Sequence, residues 1–187
     1  MSRPAGAPAS PRLAGPRVAL VPVPRAVAVA VSEHDGAAAE RALVAAGLRA
    51  GDGWPHADTP DALAGAAADP DPQAGTWLVV VDGRIVGDCG WRGRPDEDGV
   101  VELGYGLAPP SRGRGLGTEA VAVLAAWTEV QPDVRLVAAQ VLVGNEPSLR
   151  LLARLGFTEH GSAPPYLRLV RAPAGRALPR HRGRHVC

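Results

Sequence analysis

Ser111-Arg112-Gly113-Arg114-Gly115-Leu116-Gly117-Thr118-Glu119-Ala120 sets three glycines among two arginines and a leucine. A helix-forming run follows, Glu119 to Trp127. Before it stands Val100-Val-Glu-Leu-Gly-Tyr-Gly-Leu107, a β-prone segment stopped by Ala108-Pro109-Pro110. The order strand, glycine-rich loop, helix predicts an anion site. Free amides at a helix start and the positive end of its dipole attract phosphate. Glycine admits positive φ and close approach of the backbone, and Arg112 and Arg114 complement a diphosphate.

Three kinds of phosphate loop can be tested against this stretch. A Walker loop needs a lysine after its last glycine, and the chain contains no lysine. A dinucleotide fingerprint threads as Gly115-x-Gly117-x-x-Ala120. It should start at the strand end and carry an acidic residue about 20 positions on. Prolines and arginines intervene here, and that position is Arg135. Arg112-x-x-Gly115-x-Gly117 fits better. It resembles the pyrophosphate-binding motif of the GNAT acetyltransferases, which hold acetyl-CoA.

Further residues carry the same resemblance. Asn145-Glu-Pro-Ser148 follows the strand candidate Val134–Val143, and Leu155-Gly156-Phe157 closes the next helix. Glu102-Leu-Gly-Tyr-Gly-Leu-Ala108 looks like the strand before the loop in the subgroup that includes ribosomal-protein N-terminal acetyltransferases. The match is dense from Thr76 to Phe157. It implies an α/β (α+β) fold in a single domain, with a mixed, mostly antiparallel central sheet flanked by helices on both faces. It also implies that the two central strands splay apart to admit the pantetheine arm.

The resemblance carries roles residue by residue. Arg112, Gly113, Arg114, Gly115, Leu116, Gly117 and Thr118 would hold the acetyl-CoA diphosphate. Leu107 and Ala108 would meet the cofactor and the oxyanion through the backbone, with ladder pairing as the alternative. Asn145 and Ser148 would contact the pantetheine arm, Asn145 doubling as a helix cap. By its match to the family position, Ser148 would also protonate the departing thiolate. Many relatives use a tyrosine a few residues farther on, where this chain offers Leu151 and Leu152, and the identity of the acid stays open. Acetyl transfer by direct attack in a ternary complex needs no metal.

The acceptor side rests on alternation along a strand. Glu102, Gly104 and Gly106 share one face, and two glycines beside a carboxylate leave room for an amine. Glu102 is thus expected as the base, against a rim carboxylate paired with arginine, and as a substrate contact. Trp54 is a pocket wall or a core plug. His34 and His56 are expected in solvent, Asp88 on the surface, and Cys89 in the core. Asp96-Glu97-Asp98 is an acidic cluster in a turn.

Composition bounds the rest. The 187 residues suit one domain with a core from the 46% apolar content, although aromatics are only 4%. A net charge of +1 gives no overall pull toward nucleic acid. Two cysteines form no disulfide framework, which points to a reducing cytoplasm. Prolines and Arg25 interrupt the apolar Val18–Val31 stretch, so a membrane span is not expected. Residues 1–17 read as a disordered arm, 18–170 as the domain and 171–187 as an Arg-rich tail.

In order, the sequence predicts a strand within Val18–Val31 and a helix from an N-cap at Ser32 to Gly47. A second helix spans Pro60–Ala68, capped by Thr59. Strands at Thr76–Asp82 and Arg84–Arg92 are joined by Asp82-Gly83, and strand Val100–Leu107 follows. Beyond the loop come helix 119–127, strand Val134–Val143, helix Glu146–Leu155 and a strand near Tyr166–Val170. The expected chemistry is acetyl transfer from acetyl-CoA to a primary amine, on a small molecule or a protein N-terminus, by a monomer or homodimer. The alternatives are a non-catalytic CoA-binding or regulatory domain and a dinucleotide-binding module.

Overall fold

A computed structural model of the chain describes residues 11–68 and 75–173. The elements in order are β1 (Leu13–Ala14), β2 (Ala19–Pro22), α1 (Arg25–Ser32), α2 (Gly36–Ala45), β3 (Arg49–Ala50) and α3 (Thr59–Ala68). Then come β4 (Thr76–Val81), β5 (Arg84–Trp91), β6 (Val100–Leu107), α4 (Leu116–Glu129), β7 (Leu136–Leu142), α5 (Glu146–Arg154), β8 (Thr158–Ala163) and β9 (Tyr166–Arg171). The sheet runs β1-β2-β4-β5-β6-β7-β9-β8, with β3 beside β5. β6–β7 and β3–β5 pair in parallel; the other pairs are antiparallel.

β4 explains why the sheet is covered on both sides. Its Thr-Trp-Leu-Val-Val-Val run sends Trp77 and Val79 to one core, and Leu78 and Val80 to the other. The first core lies under α4, whose Leu116, Ala120, Val121, Leu124 and Ala125 form a helical stripe. Trp127 stacks edge-on against Trp77 at 4.8 Å and lies 5.1 Å from Trp91, whose indole donates to Thr128 Oγ1 at 2.8 Å. The second core joins Val27 and Val31 of α1 to Leu43 of α2 and Leu63 of α3. The mixed sheet with helices on both faces agrees with the sequence expectation.

The N-terminal third differs. Val18–Val31 holds a short strand and then helix α1, and Ser32 ends that helix instead of starting the next. Asp35 is the N-cap of α2, accepting from the Ala38 amide. The alternating Val and Ala of residues 26–31 look like a strand. Val27 and Val31 also stand four apart, and Pro24 at the N-cap lets packing on the sheet choose the helix. Part of the expected arm is structured: β1 pairs β2, and Arg17 is anchored on Glu119. Residues 1–10, 69–74 and the tail from 174 onward lie outside the described residues. No helix among the described residues is long and apolar enough to cross a membrane.

The Asp82–Gly83 hairpin has both φ values positive, 48° and 75°, as a two-residue primed turn demands. Closer to the site, Gly87 is required by contact. A Cβ there would sit 2.2 Å from Gly106 O and 2.6 Å from Leu107 Cδ2. Gly87→Ala is therefore expected to push β5 from β6 and destabilise the fold by roughly 1–3 kcal/mol. A lowered urea midpoint with unchanged slope is the readout.

Candidate active site

The site begins where β6 and β7 separate. Their parallel register runs from Val100–Leu136 to Leu103–Ala139 and stops, while β6 continues beside β5 to Leu107 and β7 beside β9 to Leu142. Ala108 N–H donates to Val86 O at 2.9 Å, so Gly87–Leu107 is a non-hydrogen-bonded antiparallel pair. Both backbone polar groups of Leu107 consequently point away from β5, into the gap left by β7. Its carbonyl accepts from Arg112 Nε at 2.8 Å. Its amide faces the opening. Ala108 does not share that role, because its amide is engaged by Val86 and its carbonyl by Ser111 N–H.

Beyond Ala108 the chain makes a short 3₁₀ turn at Pro109–Ser111 and enters the loop. Gly113 and Gly115 take φ of 73° and 78°, and Gly115 is the N-cap of α4 with no side-chain cap. Among the described residues, the amides of Gly113 to Thr118 meet no protein acceptor; Glu119 N–H is the first to find one, on Gly115 O. Six neighbouring donors at a helix start form an anion cradle. Gly117 fits under Leu107 and Leu151, each about as close as a Cβ tolerates.

Arg17 clasps the loop from outside. Its guanidinium pairs with Glu119 Oε2 at 2.9 Å and donates to Arg114 O at 3.1 Å. Burial pushes the Glu119 carboxyl up, but the amides of Arg17 and Val18 and the Arg17 guanidinium outweigh it and hold the carboxyl below its usual range. Arg112, expected on the diphosphate, is exposed and donates through Nε to Leu107 O at 2.8 Å.

Across the gap, Asn145 caps α5 by accepting from Ser148 N–H at 3.3 Å. Ser148 faces the Tyr105 phenol of β6, which sequence reasoning missed. That hydroxyl is buried and not aligned on a hydrogen-bond partner, yet lies close enough for Ser148 to influence it. Burial raises its pKa, with Ser148 opposing. Tyr105 shares its strand face with Leu103 and Leu107, a placement the alternation already carried.

On the other sheet face, the room expected beside Glu102 is filled. Arg92 Nε lies 3.0 Å from where a Gly104 Cβ would stand, and the His56 ring 2.6 Å from that of Gly106. Those glycines make space for protein side chains. Glu102 contacts Arg92 at 3.7 Å and accepts from Gln140 Nε2 at 2.9 Å, on the rim. It stands five residues before Leu107, about 16 Å of extended strand.

Two expectations are overturned here: His56 and Asp88 are buried and paired. Asp88 is 2% exposed, opposite Gly106 in the β5–β6 register. His56 Nε2 lies 3.3 Å from Asp88 Oδ2, off the line of a good hydrogen bond but within ion-pair range. Thr59 donates to the same oxygen at 2.9 Å and accepts from His56 N–H at 3.1 Å, so it braces this pair and does not act as a simple cap. His34 is exposed and Cys89 buried, as expected. The Asp96 carboxylate organises its own turn by accepting from Asp98 and Val100.

His56 and Trp54 line a cleft of about 710 Å³ between α1, α2 and the 48–57 loop. Trp54 is both core and wall, 5% exposed, with its indole N–H buried and unpartnered among the described residues. Asp88 raises the His56 pKa through its side chain, against burial; Asp58 adds to the rise and Arg112 opposes it. A folded-state pKa above the ordinary 6.5 means this pair stabilises the fold fully below pH 6.5. That contribution fades as pH climbs through the raised value. Urea unfolding across this window should show stability falling with pH in the wild type, and a flatter dependence in His56→Gln.

Comparison with known proteins gives one family. The model for the acetyltransferase (GNAT) domain matches residues 25–158. An uncharacterised N-acetyltransferase of Bacillus subtilis is 33% identical over 91 residues, covering 47% of this chain and 54% of that protein. The alignments span about half the length of the curated relatives. Among solved structures, the ribosomal-protein-S5-alanine acetyltransferase from Vibrio fischeri superposes with TM-score 0.60 at 14% identity, over 90% of this chain and all of that one. A microcin C7 self-immunity acetyltransferase in complex with acetyl-CoA and AMP gives 0.59 at 14%, over 84% and 93%. At such identities the two structures speak for the fold.

Proposed function

We propose that this chain, which belongs to the GNAT acetyltransferase family, transfers an acetyl group from acetyl-CoA to a primary amine by direct attack. One observation carries the reading: six unpaired amides, Gly113 to Thr118, lie beside the gap into which Leu107 N–H points. A diphosphate suits the first feature and an extended, amide-bearing arm suits the second. The residues present fit the cofactor.

When bound, acetyl-CoA supplies an activated thioester carbonyl. The amides of Gly113–Thr118 would hold its diphosphate, with Arg114 nearby, and Asn145 and Ser148 would border the arm. Leu107 N–H is oriented to stabilise negative charge developing on a carbonyl oxygen. The Ser148 hydroxyl, backed by the Tyr105 phenol, is placed to deliver a proton to a departing thiolate. Glu102 belongs to the acceptor rim with Arg92 and Gln140 and would attract a cationic amine. The acceptor amine, small molecule or protein N-terminus, enters from the face of Trp54 and Glu102. A dinucleotide lacks support, because Arg135 stands where that fold needs an acid.

Thermal shift with acetyl-CoA and NAD side by side tests this. Acetyl-CoA at 100 times its Kd should stabilise the fold by about 2.7 kcal/mol, and NAD should leave the melting temperature unchanged. Gly115→Val, which strains a positive φ and crowds the cradle, should abolish the acetyl-CoA shift. Stabilisation by NAD alone, or by acetyl-CoA in both proteins equally, contradicts the proposal.

A further inference from the structure

Within the acetyltransferase reading, on which it rests, we propose that His56 is a catalytic residue, accepting through Nδ1 the proton that the acceptor amine sheds, with Asp88 and Thr59 as its positioning residues. Place comes first. The His56 ring lies on Gly106, the residue before Leu107, whose amide opens into the gap. With Trp54 it lines the cleft between α1, α2 and the 48–57 loop, while its Cε1 and Nε2 cover Gly106. Glu102 is about 16 Å of strand away from Leu107, so the ring is the nearer base.

Orientation comes second. Nε2 faces Asp88 Oδ2 at 3.3 Å, which favours the tautomer with its proton on Nε2. Thr59 Oγ1 completes Asp88 and holds the His56 backbone, fixing both ends of the pair. Neither ring nitrogen has an aligned hydrogen bond among the described residues; with the proton on the Asp88 side, Nδ1 keeps a buried lone pair. A buried unpaired acceptor costs stability unless something fills it.

Protons balance. The amine nitrogen bonds to the acetyl carbon and the carbon–sulfur bond breaks. The proton lost from nitrogen ends on Nδ1, giving an imidazolium beside the Asp88 carboxylate. The thiolate takes its proton from the Ser148–Tyr105 side. Release of that proton to water resets the ring, and a proton taken from water restores the Ser148–Tyr105 side. Charged groups facing it are Asp88 on β5, Asp58 in the loop before α3, and Arg112 in the loop after β6.

The test starts with acetyl-CoA binding by calorimetry. Absence of binding in the wild type would sink the acetyltransferase reading itself and this inference with it. With binding present, thiol release is followed using 2-phenylethylamine and an alanine-initiated hexapeptide as acceptors. At saturating acceptor, where titration of the free amine drops out, the wild-type kcat should rise with pH through an inflection above 6.5. His56→Gln should lose about 100-fold in kcat, lose the inflection and keep its acetyl-CoA affinity. Asp88→Asn should move the inflection down. An inflection that survives His56→Gln overturns the assignment. The ring ¹⁵N spectrum of the wild-type protein gives a check free of folding defects and of any acceptor. A titrating ring protonated at Nε2 is expected; a ring protonated at Nδ1 when neutral overturns it.

Discussion

Two parallel strands part after their fourth residue pair, Leu103–Ala139, and the backbone beyond that point must be satisfied by something other than a neighbouring strand. The Leu107 carbonyl is taken by Arg112, while its amide is left toward the opening. The same pattern recurs a few residues later, where two left-handed glycines present the start of α4 without a cap. Unsatisfied donors are a cost to the fold and an asset to a ligand that supplies acceptors. Both sets border one opening, where Gly117 packs against Leu107.

The surrounding packing makes this arrangement stiff. α4 is pressed on the sheet by fully buried Val121 and Leu124 and fixed by Trp127 against Trp77 and Trp91. The loop's outer edge is held by Arg17 and Glu119, in which the arginine is half exposed. Exposed pairs contribute at most about 1 kcal/mol, whereas each buried leucine contributes about 2 kcal/mol or more. Arg17 therefore shapes the loop, and the core supplies stability. The alternation of β6 keeps two sets of residues apart: Tyr105 and Leu107 face the core under α4, and Gly104 and Gly106 face the other side, where Arg92 and His56 cover them.

Much of this was legible in the sequence where the signal is local. The glycine loop, the Asp82–Gly83 turn and the strand ending at Leu107 each follow from backbone requirements of a few adjacent residues. Asn145 could be read as a cap for the same reason. What escaped depends on distant contacts. Val27 and Val31 form a helix because a sheet face lies beneath them, and alternating small apolar residues do not announce which period they serve. His56 lies 32 positions before Asp88, and only the fold reveals that it fills the hollow over Gly106. Gly104 and Gly106 read in the sequence as room beside a carboxylate, and the sequence does not announce what fills it. It is a histidine and an arginine of the protein itself.

Amide resonances of ¹⁵N-labelled protein titrated with coenzyme A test the central claim most directly. If the cradle and the strand gap hold the cofactor, the largest shifts fall on Gly113 to Thr118 and on Leu107, with the Ala108 amide, already bonded to Val86, moving less. Shifts confined to other surfaces, with those seven amides unmoved at saturation, would contradict it.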